Sequence, residues 1–292
     1  MANNTEKEYR DEYKIVVVGV GGTGGLLARD LARYLYSLKT DSSISFALTL
    51  IDGDRVSESN VSRQPFLLED VGQFKVDCLS EAFEAMYDGV TVYPVPVYLD
   101  TVDELAGAIS SCTLETSFST ISYNVRKHLI LIGAVDNHRA RQVMYEYFEN
   151  HNFEYNIHDV FYIDSANEFD YGTCVCGYRD MDGVHCPSRA FFFPNVLTDK
   201  GKRASEISCG EINVSAPQHL ATNLMAAQVV LSRIVSFITS HETPFGVTTF
   251  FPFLCQMQHR DAKSYGIENF LELWQKDREK KQQEVMGNGK ID

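Results

Sequence analysis

Apolar residues recur along the chain in two patterns that alternate with one another. Short apolar runs typical of buried strands are Lys14–Val18, Phe46–Ile51, Val90–Leu99, His128–Val135 and Phe161–Ala166. Apolar residues at helical spacing predict helices over Leu26–Leu38, over Gln73–Tyr87 and from the fourth run as far as Phe148. Strands that alternate with helices predict a Rossmann-like, doubly wound α/β fold with a mostly parallel sheet.

The pattern changes after the fifth predicted strand. Tyr171–Tyr178 predicts a sixth strand, and the short link before it favours an antiparallel hairpin that extends the sheet. Residues from about 179 to 211 have no clean period and predict a long surface connection. Ala216–Ile238 predicts a long buried helix, and a charged helical tail is expected over about 268–292. We expect residues 1–292 to form a single domain.

Composition and charge limit the possible partners. Hydrophobic residues make up 44% of the chain and charged residues 23%, which is typical of a globular protein. The net charge of −14 disfavours nucleic acid as a partner. The N-terminal stretch lacks the apolar core of a signal peptide, and no apolar run approaches the roughly 18 residues that cross a membrane. We therefore expect a cytoplasmic protein with no membrane partner.

A glycine-rich stretch joins the first predicted strand to the first predicted helix. Its glycines are Gly19, Gly21, Gly22, Gly24 and Gly25. Glycines allow the backbone to approach phosphates closely, and the N-terminus of a helix offers unpaired N–H groups to an anion. The stretch predicts a nucleotide-binding unit, with a tight turn that binds no ligand as the alternative.

Charged residues follow the second predicted strand. Asp52 and Asp54 stand at its end, where Rossmann folds place the acid that binds ribose hydroxyls, although Asp-Gly is also common in exposed turns. The polar residues that come next are Asn60, Arg63, Gln64 and Lys75. Arginine offers phosphate a rigid fork and lysine a point charge, so this stretch is typical of a site that neutralises a triphosphate.

A further polar pair, Asp136 and Asn137, follows the fourth predicted strand. Magnesium prefers carboxylate and phosphate oxygens, so Asp136 is a candidate magnesium ligand. Both residue types are also favoured as helix N-caps, which is the alternative. Because open α/β sheets bind ligands at the carboxyl ends of their strands, we expect these residues to meet the glycine stretch.

Taken together, the motifs resemble those of the ThiF/MoeB/HesA family of adenylyltransferases. The chain carries the family patterns D-x-D-x-V-x-x-x-N-x-x-R-Q from Asp52, G-x-x-K from Gly72 and D-N-x-x-x-R from Asp136. The resemblance runs from about Lys14 to Ser240 and is weaker between residues 100 and 127 and across the long connection.

The resemblance implies an activity and a role for each matched residue. The implied activity is ATP- and Mg²⁺-dependent adenylation of the C-terminal carboxylate of a ubiquitin-like or sulfur-carrier protein ending in Gly-Gly, with release of pyrophosphate, by a homodimer. The implied nucleotide contacts are Gly19, Gly21, Gly22, Gly24, Asp52, Asp54, Asn60, Arg63, Gln64, Lys75 and Asn137, with the ribose on Asp54. Arg63, Lys75 and Asp136 would act in catalysis, and Asp136 would hold the metal.

The seven cysteines are odd in number and irregularly spaced, which favours reduced thiols over a disulfide framework. Cys209 is the candidate nucleophile for a later thioester or sulfur-transfer step, because bacterial relatives have a cysteine at this point before the long helix. An inert buried thiol is the alternative, and Cys186 is a second candidate. The two CxxC pairs that hold zinc in many relatives are missing, so structural zinc is not expected, and Cys174 and Cys176 are predicted to face the core from a strand.

Two other functions use some of the same features. An NAD-dependent oxidoreductase would share the glycine stretch and the acid after the second strand, but it has no need for Arg63 and Lys75. A non-catalytic family scaffold would bind ATP and pair with an active subunit without forming an adenylate. Nicotinamide binding would identify the first, and ATP binding without adenylation would identify the second.

Overall fold

A sheet of nine strands organises the part of the chain that the computed structural model describes, namely residues 9–112, 124–150, 157–198, 219–242, 245–272 and 276. The strands are β1 (Tyr9–Val18), β2 (Ile44–Ile51), β3 (Val92–Val95), β4 (Asn124–Gly133), β5 (Asp159–Asn167), β6 (Gly172–Asp180), β7 (Val184–Cys186), β8 (Gly246–Phe251) and β9 (Gln256–Asp261). Their spatial order is β3-β2-β1-β4-β5-β6-β8-β9, and β7 pairs with β6.

The sheet is parallel in one part and antiparallel in the other. Strands β3, β2, β1, β4 and β5 run parallel, whereas β6 pairs antiparallel with β5, β7 and β8, and β9 pairs antiparallel with β8. The predicted Rossmann-like α/β fold with an antiparallel extension is therefore confirmed, and so is the predicted hairpin after the fifth strand.

Helices cover both faces of the sheet. They are α1 (Gly22–Leu38), α2 (Glu58–Val61), α3 (Lys75–Met86), α4 (Val102–Ser111), α5 (His138–Asn150), α6 (Arg189–Phe192), α7 (Asn195–Thr198) and α8 (Leu220–Ser240). Side chains alternate across a strand, so Ile15 and Val17 of β1 pack in the core with α1, α3 and α8. Val16 and Val18 pack in the other core, with α4 and α5. This is the doubly wound arrangement that the alternating pattern predicts.

The observed strand limits differ from the predicted ones in a systematic way. Strands β1 and β4 begin at Tyr9 and Asn124, several residues before the apolar runs, because polar residues near their amino ends still pair in the ladder. The predicted strand Val90–Leu99 is reduced to β3, which lies at the edge of the sheet. Its prolines explain both its shortness and its edge position, since proline donates no ladder hydrogen bond.

The prediction of a surface connection over residues 179–211 is wrong for its first part. Strand β6 continues to Asp180, and β7, α6 and α7 follow before residue 199. The buried Arg189 holds this segment against the sheet, because its Nη2 donates to the main-chain oxygens of Asp164 and Thr173 at 3.0 and 2.9 Å. Residues 199–218 lie outside the described part of the chain.

Helix α8 differs from its prediction at the amino end and in length. It begins at Leu220, and His219 is its N-cap and the first described residue after the gap at 199–218. Its length and composition would suffice to cross a membrane, so the expectation that no segment approaches this length does not hold for α8. Half of that apolar stretch is buried inside the fold, as in the core helix of a folded domain. Residues 267–272 are helical at the start of the predicted tail, and most of the tail lies outside the described residues.

Candidate functional site

The carboxyl ends of β1, β2 and β4 meet at the edge of the sheet that carries the polar motifs. Gly19 donates its N–H to the carbonyl of Ile51 at 2.8 Å, and Ala134 donates to the carbonyl of Val18 at 2.9 Å, so the three strands stay joined as they end. The chain order reverses here, because β2 and β3 lie on one side of β1 and β4 and β5 lie on the other. Open α/β sheets bind their ligands in the crevice at such a point.

The glycine loop between β1 and α1 can adopt its conformation only because glycine occupies its most crowded positions. Gly19 has φ +84°, and a β-carbon there would lie 2.8 Å from the carbonyl oxygen of Ala134. A β-carbon on Gly24 would overlap the carbonyl oxygen of Gly19. The loop therefore packs tightly against β4 and brings the N-terminus of α1 to the crevice, where unpaired N–H groups can bind an anion.

Asp52, at the end of β2, anchors this loop. Its Oδ2 accepts from the N–H of Val20, and its Oδ1 accepts from the N–H of Asp54, both at 2.8 Å. Burial raises the pKa of Asp52 above the ordinary range of an aspartate, against the opposing charge of Lys75. Both oxygens thus already have backbone partners, and the side chain fixes the loop relative to the acid that follows it.

Asp54 forms an ion pair with Lys75 at the centre of the site. Lys75 Nζ lies 2.8 Å from Asp54 Oδ2, and the lysine is buried. The Tyr98 hydroxyl donates to Asp54 Oδ1 at 2.6 Å. Burial works to raise the pKa of Asp54, but the Lys75 charge and the hydrogen bonds from Lys75 and Tyr98 lower it, so the carboxylate is held ionised. Sequence reasoning missed Tyr98, whose only signal is an aromatic residue at the end of the third apolar run.

A folded-back loop explains the spacing between Asp54 and Lys75. The N–H of Lys75 donates to the carbonyl of Asp54 at 3.0 Å. Val56 donates to Gln73, and Gly72 donates back to Val56, both at 2.9 Å. Gly72 has φ +92°, a conformation that favours glycine. The G-x-x-K motif therefore returns the lysine to the acid and begins α3 there.

Asn60 lies in α2, and Arg63 and Gln64 lie on the turn that follows this helix. Asn60 is buried, and its Oδ1 accepts from the N–H of Ser57 at 2.9 Å. Its main-chain oxygen accepts from Arg63 at 3.0 Å and from Gln64 at 2.8 Å, so Asn60 shapes the turn that presents both side chains. Gln64 Nε2 lies 3.8 Å from where a β-carbon of Gly21 would be, which brings this residue to the glycine loop.

The turn after β4 presents Asp136. Asn137 caps α5, since its Oδ1 accepts from the N–H of Ala140 at 2.8 Å. The buried Arg141 donates to the carbonyl of Val135 and pairs with Asp164 of β5 at 3.1 Å, so it ties the turn to the sheet. Asp136 itself is exposed. The final arginine of the D-N-x-x-x-R motif thus holds the turn, and the carboxylate of its first residue faces outward.

The chemistry of Asp136 fits Mg²⁺ only if a ligand supplies further oxygens. No group of three or more His, Cys, Asp or Glu residues that could hold a metal occurs within the described ranges. Magnesium is often bound by one or two carboxylates together with water and the phosphates of a nucleotide. An exposed aspartate on the turn beside the glycine loop suits that arrangement.

A buried polar cluster, which sequence reasoning missed, lies under the start of α1. Asn167 Nδ2 donates to Thr23 Oγ1 at 2.6 Å and lies 3.3 Å from Asn223 Oδ1. Thr23 Oγ1 in turn donates to Asn223 Oδ1 at 3.3 Å. A sequence signal existed, since Asn223 is an amide within a helix predicted to be buried, but nothing local indicates which residues it contacts.

The structure bears on three of the four cysteines for which the sequence predicted a role or a position. Cys209 lies outside the described residues, so its role stays a prediction. Cys174 and Cys176 are buried in the core, which confirms that they face it from a strand. Burial raises the pKa of Cys186 to about 12, and a buried, protonated thiol is a poor nucleophile.

Comparison with known proteins identifies relatives of this fold and sequence. The family model of the ThiF family matches residues 4–249. A search of curated proteins finds no match.

Solved structures with the same fold include PaaA and Escherichia coli MccB. PaaA, in a selenomethionine crystal structure, is 20% identical with a TM-score of 0.57 over 86% of this chain and 64% of its own. E. coli MccB with ATP is 16% identical with a TM-score of 0.55, over 85% of this chain and 63% of its own. MccB in complex with N-formylated MccA is 16% identical with a TM-score of 0.56, over 85% and 64%. The chain therefore spans less than two thirds of the length of these proteins.

Proposed function

The chain belongs to the ThiF family, and on that premise we propose that it uses ATP and Mg²⁺ to adenylate the C-terminal carboxylate of a small ubiquitin-like or sulfur-carrier protein. The observation that carries the proposal is the meeting of three features at the carboxyl ends of adjacent strands. These features are the glycine loop, the ion pair of Asp54 with the buried Lys75, and the exposed Asp136.

The loop and the acids would hold the nucleotide. Ribose hydroxyls would donate to Asp54, as they do to the acid after the second strand of Rossmann folds. The phosphates would lie along the glycine loop, where the N–H groups and the dipole of α1 favour negative charge. Lys75 and Tyr98 both bind Asp54, and the charge of Lys75 also acts on Asp52, which binds the glycine loop, so Lys75 would turn from Asp54 toward phosphate oxygens.

The basic residues and the metal would neutralise the charge of the triphosphate. Arg63 and Gln64 stand on the turn beside the glycine loop, so they would face the outer phosphates. Bound Mg²⁺ would supply further positive charge to the phosphate oxygens, and Asp136 would hold it. Asn137 and Arg141 keep the Asp136 turn in place.

The reaction that follows is an in-line displacement at phosphorus. An oxygen of the substrate carboxylate would attack the α-phosphorus, the new P–O bond would form the acyl-adenylate, and the bond to the β-phosphate would break to release pyrophosphate. The protein contributes position and neutralisation of charge, since no covalent step on the chain is needed. Transfer of the acyl group to Cys209 would be a separate, later step.

The nature of the second substrate rests on the family and on the neighbours. MccB has been crystallised with ATP and with N-formylated MccA, so a protein of this fold binds a nucleotide and a second molecule. For this chain we propose a small protein that ends in Gly-Gly, because an unbranched, narrow tail can reach a phosphate in a crevice. We also propose a homodimer.

Pyrophosphate exchange tests the proposal directly. Purified protein, Mg²⁺, ATP and candidate small proteins ending in Gly-Gly should incorporate labelled pyrophosphate into ATP. Asp136→Ala should abolish this exchange, whereas the matched control Asp103→Asn, on the exposed side of α4, should leave it unchanged. Cys209→Ala should also retain exchange, because adenylation precedes any step at that cysteine.

Three other results have clear meanings. Exchange that persists in Asp136→Ala would overturn the role of that residue. ATP binding without exchange, for every candidate, would favour the non-catalytic scaffold. Absence of ATP binding, together with binding of NAD⁺, would contradict the proposed adenylation and favour the oxidoreductase.

A further inference from the structure

The side chain of Asn223 has an unexplained orientation at the candidate site. It lies in the first turn of α8 and is fully buried, with 0% exposure. Its Oδ1 accepts hydrogen bonds from Thr23 Oγ1 and Asn167 Nδ2, both at 3.3 Å. Its Nδ2, in contrast, is buried and has no hydrogen-bond partner in the structure.

The unpaired amide points at the glycine loop. A β-carbon built on Gly22 would overlap Asn223 Nδ2, so this N–H₂ group lies directly against the first residue of α1. The hydrogen bonds fix this orientation, because Asn167 Nδ2 is a donor and requires the oxygen of Asn223 on its side. An unsatisfied buried donor costs about 1–3 kcal/mol, which argues for a partner in the working protein.

We propose that Asn223 is a phosphate-binding residue, whose Nδ2 donates a hydrogen bond to the α-phosphate of the bound nucleotide. This inference rests on the proposed ATP binding and adds to it a contact from α8, outside the motifs that indicated the nucleotide site. The donor then completes a cradle with the N–H groups at the start of α1, a helix of 17 residues whose dipole favours the same anion.

The α-phosphate is the one within reach. The N–H of Val20 is bound to Asp52, which also holds Asp54, the acid proposed to bind the ribose. Gly22 is two residues further along, and two residues span at most about 7 Å. A group beside Gly22 therefore lies within reach of the phosphate nearest the ribose, while Arg63 is the residue proposed to face the outer phosphates.

Comparing ligands with zero, one and three phosphates distinguishes this contact from a purely structural role. Adenosine, AMP and ATP differ only in their phosphates, so a residue that binds the α-phosphate affects AMP and ATP and not adenosine. Asn223→Asp keeps an acceptor for Thr23 and Asn167 but replaces the donor with a negative charge. Dissociation constants of the three ligands, by isothermal titration with Mg²⁺ present, are the measurement.

We expect Asn223→Asp to raise the dissociation constants of AMP and ATP by about 10- to 100-fold, since a hydrogen bond to a charged group is worth roughly 1.5–3 kcal/mol. Adenosine should bind as it does to the wild type. The matched control is Thr222→Val, the preceding residue of α8, which is also fully buried and whose hydroxyl donates to Phe169 at 2.7 Å. It removes a buried hydrogen bond without touching Gly22 and should leave all three affinities unchanged.

The outcomes separate the two proposals. Equal affinities of the wild type and Asn223→Asp for AMP and ATP would overturn the inference and leave ATP binding intact. A parallel loss for adenosine would also overturn it, because it would indicate a structural role. Absence of adenine-nucleotide binding by the wild type would instead overturn the proposed function. If the aspartate variant does not fold, Asn223→Leu, neutral and of similar volume, should show the same selective loss.

Discussion

Lys75 and Asp54 neutralise each other at 2.8 Å in a site where the lysine is 6% and the aspartate 28% exposed in their side chains. Such a pair is held in place by the fold, since Lys75 is buried within the first turn of α3 and Asp54 also accepts from Tyr98. The ion pair thus keeps a positive charge near Asp52, the residue that binds the glycine loop, before any phosphate is bound.

A double-mutant cycle measures this coupling. We expect Lys75→Met to lower the free energy of unfolding by about 2 kcal/mol, because it leaves Asp54 charged, partly buried and without its cation. Adding Asp54→Asn to that variant should cost little more, since the partner is already lost. Urea unfolding of the two single variants and the double variant tests this, and strictly additive losses would contradict the coupling.

Gly19 offers a second prediction at the scale of one residue. Gly19 and Gly72 both have positive φ, of +84° and +92°, so an alanine at either position is strained by about 1–2 kcal/mol. Gly19→Ala additionally meets the Ala134 carbonyl at 2.8 Å, whereas a β-carbon on Gly72 meets nothing within 4 Å. We expect Gly19→Ala to be the more destabilising in urea unfolding and to weaken ATP binding. Equal losses of unfolding free energy in the two variants would mean that the contact with the Ala134 carbonyl does not add to the strain.

Part of the candidate site could be predicted from local sequence, and part could not. Asp54, Lys75 and the glycine loop follow predicted strands at spacings that a fold must bring together, so the motif alone indicated their meeting. Tyr98 and Asn223 reach the site from far along the chain, by contacts that no periodicity encodes. Spacing shows which strand a residue follows, whereas the packing of distant elements decides what it touches.

At the scale of elements, the amino ends of β1, β4 and β5 are tied by a buried histidine. His128 Nδ1 lies 2.9 Å from both carboxylate oxygens of Asp159, and its Nε2 lies 3.2 Å from Asp11. Arg126 pairs with Asp11 as well, at 2.7 Å, and His241 stands 3.8 Å from it. The cluster lies at the opposite end of the strands from the proposed nucleotide site, so we expect it to affect stability.

The titration of His128 should appear in the pH dependence of stability. Burial works against its charge, but the hydrogen bonds and charges of Asp11 and Asp159 raise its pKa to about 9. A raised pKa stabilises the fold fully below the unfolded value of 6.5, and this contribution is lost as pH rises from 6.5 to about 9. We expect a loss on the order of 3 kcal/mol, measured by urea unfolding across that range.

His128→Gln is the control for that titration, since it keeps a polar side chain that does not ionise. Its stability should be lower than that of the wild type at pH 6.5 and nearly flat toward pH 9. The same slope in the variant and in the wild type would assign the pH dependence to other groups. At low pH the sign reverses for Asp11. Burial works to raise its pKa, but hydrogen bonds and charges from His128 and Arg126 lower the pKa to about 2. Its contribution to stability is therefore lost as pH falls from 3.8 to about 2.

Elements were predicted best where burial imposes a period and worst where it does not. Strand β1 could be predicted because it is buried on both faces, so its apolar residues form a continuous run. Strand β7 and helices α6 and α7 have three or four residues each, too few to show any period. They are held by Arg189, whose partners Asp164 and Thr173 lie on β5 and β6. A local pattern cannot indicate such an ion pair.

At the scale of the whole molecule, the parallel half of the sheet carries the proposed nucleotide site, and the antiparallel half extends the sheet beside it. Asn167 joins the two, because it ends β5 and its amide reaches Thr23 at the start of α1 at 2.6 Å. The turn that follows leads to β6, and Asn223 Oδ1 of α8 accepts from Asn167 and from Thr23. Binding at the loop is therefore connected with α8 and the hairpin, and a bound nucleotide should stabilise all of these elements together.

Ligand-dependent melting tests this at the level of the whole chain. A ligand at 100 times its dissociation constant stabilises the folded state by about 2.7 kcal/mol, which corresponds to roughly 5 °C in Tm for a chain of this size. We expect ATP with Mg²⁺ to produce such a rise and NAD⁺ to produce none, because Arg63 and Lys75 suit a triphosphate. Differential scanning calorimetry gives both values, with Asp54→Ala as the control that should lose the ATP effect. A rise with NAD⁺ that ATP does not reproduce would reject ATP as the ligand and restore the oxidoreductase, since the same loop and acid would then serve a dinucleotide.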